Sequence, residues 1–154
     1  MAPDAIQTLV RALESTTTRG EEDAWELLKP LGVSICPYLL TAYSTFKRSQ
    51  GRVSLVFHAI RYARISEAAF QLGVLALNDR ASLVRYRACS LLAYSLRKDA
   101  LPYLKPLLAN SDEKTAQDVE AAIDAIQSKN HHFFIDRGHS GSTHWVVNES
   151  DESY

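Results

Sequence analysis

The chain lacks most of the short signatures that carry chemistry. It has no glycine-rich phosphate loop, no Gly-x-Ser-x-Gly elbow, and no cysteine close to a histidine. Its two cysteines, Cys36 and Cys89, lie far apart in apolar-periodic stretches. They read as small core residues rather than a disulfide framework or a thiolate metal site. No apolar run approaches the roughly 20 residues that span a bilayer. The N-terminus, MAPDAIQTLVRALES, carries Asp4 where a secretory signal wants positive charge, and has no continuous apolar core. The expected compartment is therefore cytoplasmic. The stretch IDRGHSG lacks the spaced acids and closing glutamate of a calcium loop. No metal or other cofactor is expected.

The composition itself, 46% hydrophobic and 23% charged over 154 residues, is that of one ordinary globular domain. Net charge is −1, but it is unevenly spread. Residues 1–46 and 99–154 are acidic. Residues 47–98 hold ten bases against only Glu67 and Asp79. Such a basic centre points to an anionic partner, or to charge matching between neighbouring elements of one fold.

From residue 3 to about 128 the apolar spacing is helical. Eight helices are expected, near 3–15, 20–30, 35–46, 52–64, 66–77, 81–96, 99–109 and 113–128. Segments of this stretch repeat. CPYLL at 36–40 returns as LPYLK at 101–105, SLV at 54–56 returns at 82–84, and Asp79 and Asp112 are 33 apart. A period in this range signals stacked helix pairs, each burying its apolar stripe against the next.

The stretch from Leu72 to Glu113 carries Leu75, Leu77, Asp79, Val84-Arg85, Ala88 and Leu91-Leu92. It resembles the HEAT-repeat family. The resemblance implies an all-α fold, a short right-handed α-α superhelix of about four stacked antiparallel helix pairs. It also implies a structural ladder of turn aspartate and second-helix arginine, carried here by Asp79 and Arg85. On this reading residues 1–148 form one domain. Residues 1–30 are an N-terminal cap or degenerate repeat, and residues 35–128 are the repeats. The pattern is broken at Val119-Glu120, and Val56-Phe57 stands in the Val-Arg place of the earlier unit.

Beyond residue 130 the period changes. HFFIDR and THWVV are aromatic and β-branched, with GHSGS between them, which is a β-hairpin signal. Residues 131–148 are expected as a β-hairpin cap that closes the open end of the stack, and residues 149–154 as a frayed polar tail. His132, His139 and His144 are then half-exposed polar positions, available for contact with a partner.

The basic centre is the best functional lead. Arg61, Arg64, Arg85 and Arg87, with His58 and Tyr94, are expected on the second helices of the pairs and so on the concave surface. Asn130, Phe133, Phe134, Asp136, Arg137, Ser140 and Gly141 make the end of the chain similar to small bacterial helical-repeat proteins that serve as immunity proteins beside toxins. That resemblance implies a non-catalytic protein that binds a toxin domain with an acidic surface, with no membrane partner. Two other functions stay open. One is nucleic-acid binding, as in HEAT-like DNA glycosylases. The other is an accessory role in a larger complex.

Overall fold

The computed structural model describes residues 1–151; residues 152–154 of the expected tail lie outside it. Its regular structure is helical, and there is no β-strand among the described residues. Helix α1 spans Pro3–Arg11, with proline in its first turn and Asp4 at the positive end of its dipole. Helix α2, Thr18–Leu28, is capped by Thr17, whose hydroxyl accepts from Gly20 N–H at 3.0 Å. A 3-10 segment, Lys29–Ile35, leads into α3, Cys36–Tyr43. Helix α4 spans Ser49–Ala59 and tightens into a 3-10 turn over Ile60–Tyr62. Helix α5, Glu67–Ala76, is capped by Ser66. Helix α6 spans Ser82–Ser95 and stops at Leu96, which is left-handed with φ 56°. Pro102 and Pro106 break the next segment, so α7 is only Leu101–Leu104 between two 3-10 turns. Asp112 caps α8, Glu113–Gln127.

The helices pack as successive pairs, α1 with α2, α3 with α4, α5 with α6, and α7 with α8. One layer runs α1–α3–α5 and the other α4–α6–α8. Helix α6 is central. It is buried without a break from Ala88 to Tyr94, as a helix covered on every side must be. The approach of α5 is close enough to need Gly73, since a Cβ there would lie 2.6 Å from Leu91 Cδ2. Leu55, Val56, Leu72, Leu91, Leu92, Val119 and Ile126 fill the space between layers. Cys36 and Cys89 are buried free thiols.

A charged ladder runs through the turns with a 33-residue register. The Arg52 guanidinium grips the Asp79 carboxylate from two nitrogens, at 2.7 and 3.2 Å, and donates to the Lys47 and Phe46 carbonyls. One unit later, Arg85 donates to the Asp112 carboxylate at 2.9 Å and to the Asp79 carbonyl at 2.8 Å. Phe46 and Asp79 stand 33 apart, as do Arg52 and Arg85. Asp79 and Arg85 thus both stand in the ladder, on successive rungs rather than as one pair. Arg85 meets only the backbone of Asp79, because Arg52 of the preceding unit occupies its carboxylate. The next position in register is Asp118, not Glu120. Its charge is inverted, and it pairs with Arg137 at 3.0 Å.

The expected β-hairpin is corrected. Residues His131–Phe134 form a 3-10 turn, and residues 135–148 hold no regular element. Side chains take the backbone donors that a strand ladder would use. Asn130 accepts from His132 N–H at 3.0 Å. Asp136 accepts from the Ser140 and Gly141 amides and the Ser140 hydroxyl, and Gly141 meets that curl at φ 77°. Held by these contacts, the segment buries Phe134 completely and packs Trp145 beside it. The end of the described chain is not frayed. Glu149–Asp151 form a 3-10 turn, and Asp151 is only 3% exposed.

Candidate functional site

The C-terminal segment is fastened to α6 by a polar cluster. The adjacent rings of His131 and His132 hold both backbone groups of Trp145. His132 Nδ1 accepts the Trp145 N–H at 2.8 Å, and His131 Nε2 lies 2.9 Å from the Trp145 carbonyl. Arg64 Nη2 lies 3.0 Å from His131 Nδ1, so that nitrogen is the acceptor and the proton sits on Nε2. Burial lowers the His131 pKa, and Arg64 and His132 work in the same direction against the Trp145 carbonyl and Asp151. Arg64 also donates to the Tyr94 carbonyl at 2.7 Å and lies over the Tyr94 ring. The Tyr94 hydroxyl donates to Asp151 at 2.7 Å. Burial pushes the Asp151 carboxyl up, but hydrogen bonds from the Asn148 amide, Tyr94 and the Val147 amide outweigh it and hold it low. Arg64 and Tyr94, expected on a partner surface, are thus placed in the fold's own closure.

Beside this cluster is a cavity of about 180 Å³ between the end of α4, the start of its 3-10 turn, α6 and the C-terminal segment. Its walls are the rings of Phe57 and Trp145, the aliphatic Ile60, Val146 and Val147, and the basic His58, Arg61 and Arg87. Phe57 is 48% exposed and Val146 54% exposed, both large apolar groups on the outside of the protein. Arg87 lies over the Phe57 ring at 4.9 Å and the Tyr86 ring at 5.4 Å. Its Nε is covered and has no hydrogen-bond partner. Among the described residues neither Arg61 nor Arg87 forms an ion pair.

His58 stands at the inner wall, stacked on Trp25 with ring centroids 3.8 Å apart. Its Nε2 comes within 3.4 Å of the Glu21 carboxylate without a hydrogen bond, while Ser54 donates to the same carboxylate oxygen at 2.6 Å. Burial pushes the His58 pKa down to about 4 despite Glu21, and Arg61 adds to the shift. His58 is therefore neutral near pH 7. A second cavity, about 250 Å³ between α1 and α3, has only Arg11 as a charged wall and none of the sequence candidates.

Of the six residues expected on one basic surface, the structure brings His58, Arg61 and Arg87 around one cavity. Arg85 is held in the ladder. The three C-terminal histidines do not share an outward face. His132 is buried, His139 contacts Asp124 at 2.5 Å and stacks on Phe133, and His144 is exposed with its ring edge-on to His132 at 5.4 Å. No three histidine, cysteine or carboxylate side chains among the described residues converge as a metal site. Phe57, Trp145 and Val146 were missed as site residues. Phe57 had been aligned with the ladder arginine, and the true register of Arg52 against Arg85 would have freed it.

No protein-family model, curated protein or solved structure matches this chain.

Proposed function

We propose that this chain is a HEAT-like helical-repeat protein, its pairs stacked into a short right-handed superhelix, that acts without catalysis by binding another protein. Within that class we favour an immunity protein that occludes a toxin domain through an acidic patch on the toxin. The supporting observation is the cavity beside the C-terminal segment. It joins two arginines without ion pairs to two exposed apolar side chains, the mixture found at protein contact sites. The 33-residue recurrence of the arginine–aspartate rung supports the repeat class. The residues that resemble immunity proteins support the C-terminal end: Asn130, Asp136, Arg137, Ser140 and Gly141 each hold that segment in place.

The nucleic-acid reading loses ground on the same evidence. Arg52, Arg64, Arg85 and Arg97 of the basic centre are engaged by groups within the fold. Four of the ten bases are thus taken up inside the fold, which shortens any track of phosphates the centre could neutralise.

Co-expression with the toxin encoded beside the gene tests the proposal. The wild-type chain should restore growth, and the Arg61→Glu/Arg87→Glu double variant should lose protection while its circular dichroism stays unchanged. Full protection by the double variant would remove the cavity from the proposal. No protection by either chain, together with a salt-sensitive gel shift on duplex DNA or RNA, would replace the proposal with nucleic-acid binding.

A further inference from the structure

We infer that the cavity receives one acidic side chain from the partner, an aspartate or glutamate next to an apolar residue. The inference rests on the protein-binding reading above and adds which group is recognised.

Size comes first. A cavity of about 180 Å³ is smaller than the roughly 300–1,000 Å³ that encloses a cofactor or drug-sized ligand. It suits a single anchor residue of the kind that dominates protein interfaces. The walls decide the charge of that residue. Arg61 and Arg87 face it without a carboxylate of their own, and His58 is kept neutral by burial. An ammonium or guanidinium entering here would meet two like charges. A carboxylate would meet two donors that are unmatched in the free protein.

Preorganisation points the same way. Arg87 is held over two aromatic rings, so little side-chain freedom is lost when it binds. Because Nε is covered, the carboxylate is met end-on by the terminal nitrogens. The rim beside Arg61 is fixed as well, since Asn148 Nδ2 donates to the Arg61 carbonyl at 3.1 Å. The neighbour of the acidic residue then lies on Phe57 and Val146, which removes their exposed surface from water.

The test uses the full chain and two dipeptides, acetyl-Leu-Glu-amide and acetyl-Leu-Gln-amide. Amide and indole resonances are followed by two-dimensional NMR as each is added to millimolar concentration. The glutamate peptide should give saturable shifts at the Trp145 indole and at the amides of Phe57, Arg61 and Val146. The glutamine peptide should bind at least tenfold more weakly. Arg87→Gln and Arg61→Gln, each checked for an unchanged melting temperature, should each weaken the glutamate peptide at least fivefold. Equal shifts with both peptides, or equal affinity in both variants, would overturn the inference. So would an absence of saturable shifts with the glutamate peptide. The toxin assay is independent of these readouts. Protection without peptide recognition rejects the acidic anchor alone, and peptide recognition without protection rejects the toxin as partner.

Discussion

Arg52 and Asp79, 27 residues apart in sequence, meet at 2.7 Å with their side chains 6% and 4% exposed. Arg85 and Asp112 keep the same separation, but with side chains 14% and 36% exposed. The ladder is therefore one chemical device in two dielectric settings. Burial pushes the Asp79 carboxyl up, and hydrogen bonds from Arg52, the Tyr43 hydroxyl and the Ala81 amide more than reverse that, so it remains ionised.

The two rungs should respond differently to loss of the acid. Asp79→Ala leaves the Arg52 guanidinium buried without its counter-ion and removes the acceptor of Tyr43. The expected loss is about 3–5 kcal/mol, enough to unfold much of the chain. Asp112→Ala exposes Arg85 to water that already reaches its partner, and the loss should be clearly smaller. Urea denaturation of the two variants measures this, and equal losses would mean that burial does not set the strength of a rung.

Arg64 should tolerate even lysine poorly. Its fork spans the Tyr94 carbonyl and His131 Nδ1 while its plane lies on the Tyr94 ring at 4.0 Å. An ammonium cannot make all three contacts at once. Arg64→Lys should loosen the C-terminal segment by about 1–3 kcal/mol. Hydrogen exchange at the Trp145, Val147 and Asn148 amides should accelerate while α4, α6 and α8 stay protected. Uniform acceleration along the whole chain would show that the segment has no separate closure.

Much of the helical architecture was legible in the sequence, since helical spacing with the glycine and capping residues marked all the helices but the seventh, which is a single turn. The departures have causes. Pro102 and Pro106 cut the seventh helix to Leu101–Leu104, because each lacks the N–H that a continuous helix needs. The hairpin failed because the aromatic and β-branched runs at 133–135 and 145–147 are shaped by tertiary hydrogen bonds rather than strand pairing. Asp136 gathers amides in sequence neighbours, but Asp151 takes the Tyr94 hydroxyl and two amides, and no local pattern announces that. The candidate site was half legible. Charge pointed to Arg61 and Arg87. Periodicity could not say that Arg64 and Arg85 would be used internally, because that depends on which groups face them across the fold.

Acidification should weaken the fold before the carboxylates titrate. His58 is held neutral, its pKa pushed down to about 4 by burial, and the His131 pKa is lowered as well. An unfolded histidine titrates near 6.5, so below that pH the unfolded chain binds more protons than the folded one. The stabilisation is thus complete above about pH 6.5 and is lost as pH falls towards 4. For His58 the loss is on the order of 3 kcal/mol. His58→Phe keeps a ring on Trp25 but cannot protonate, so its melting temperature should fall less between pH 7 and pH 4.5 than that of the wild type. Parallel curves would mean that the ring is not the titrating group.

The inverted rung gives a test of register. Asp118 occupies the place of Arg52 and Arg85, with its side chain 5% exposed, and Arg137 reaches it from the C-terminal segment. Asp118→Arg would place a guanidinium in a nearly closed position, against that of the more exposed Arg137. The single variant should lose several kcal/mol of stability, as an unpaired buried charge does. Adding Arg137→Asp restores opposite charges and should recover about 0.5–3 kcal/mol of that loss. Recovery must stay incomplete, because Arg137 Nε also donates to the Phe134 carbonyl at 2.9 Å and an aspartate cannot. A double variant no more stable than Asp118→Arg alone would show that the pair is not coupled, and that Asp118 is held by its own helix surroundings instead.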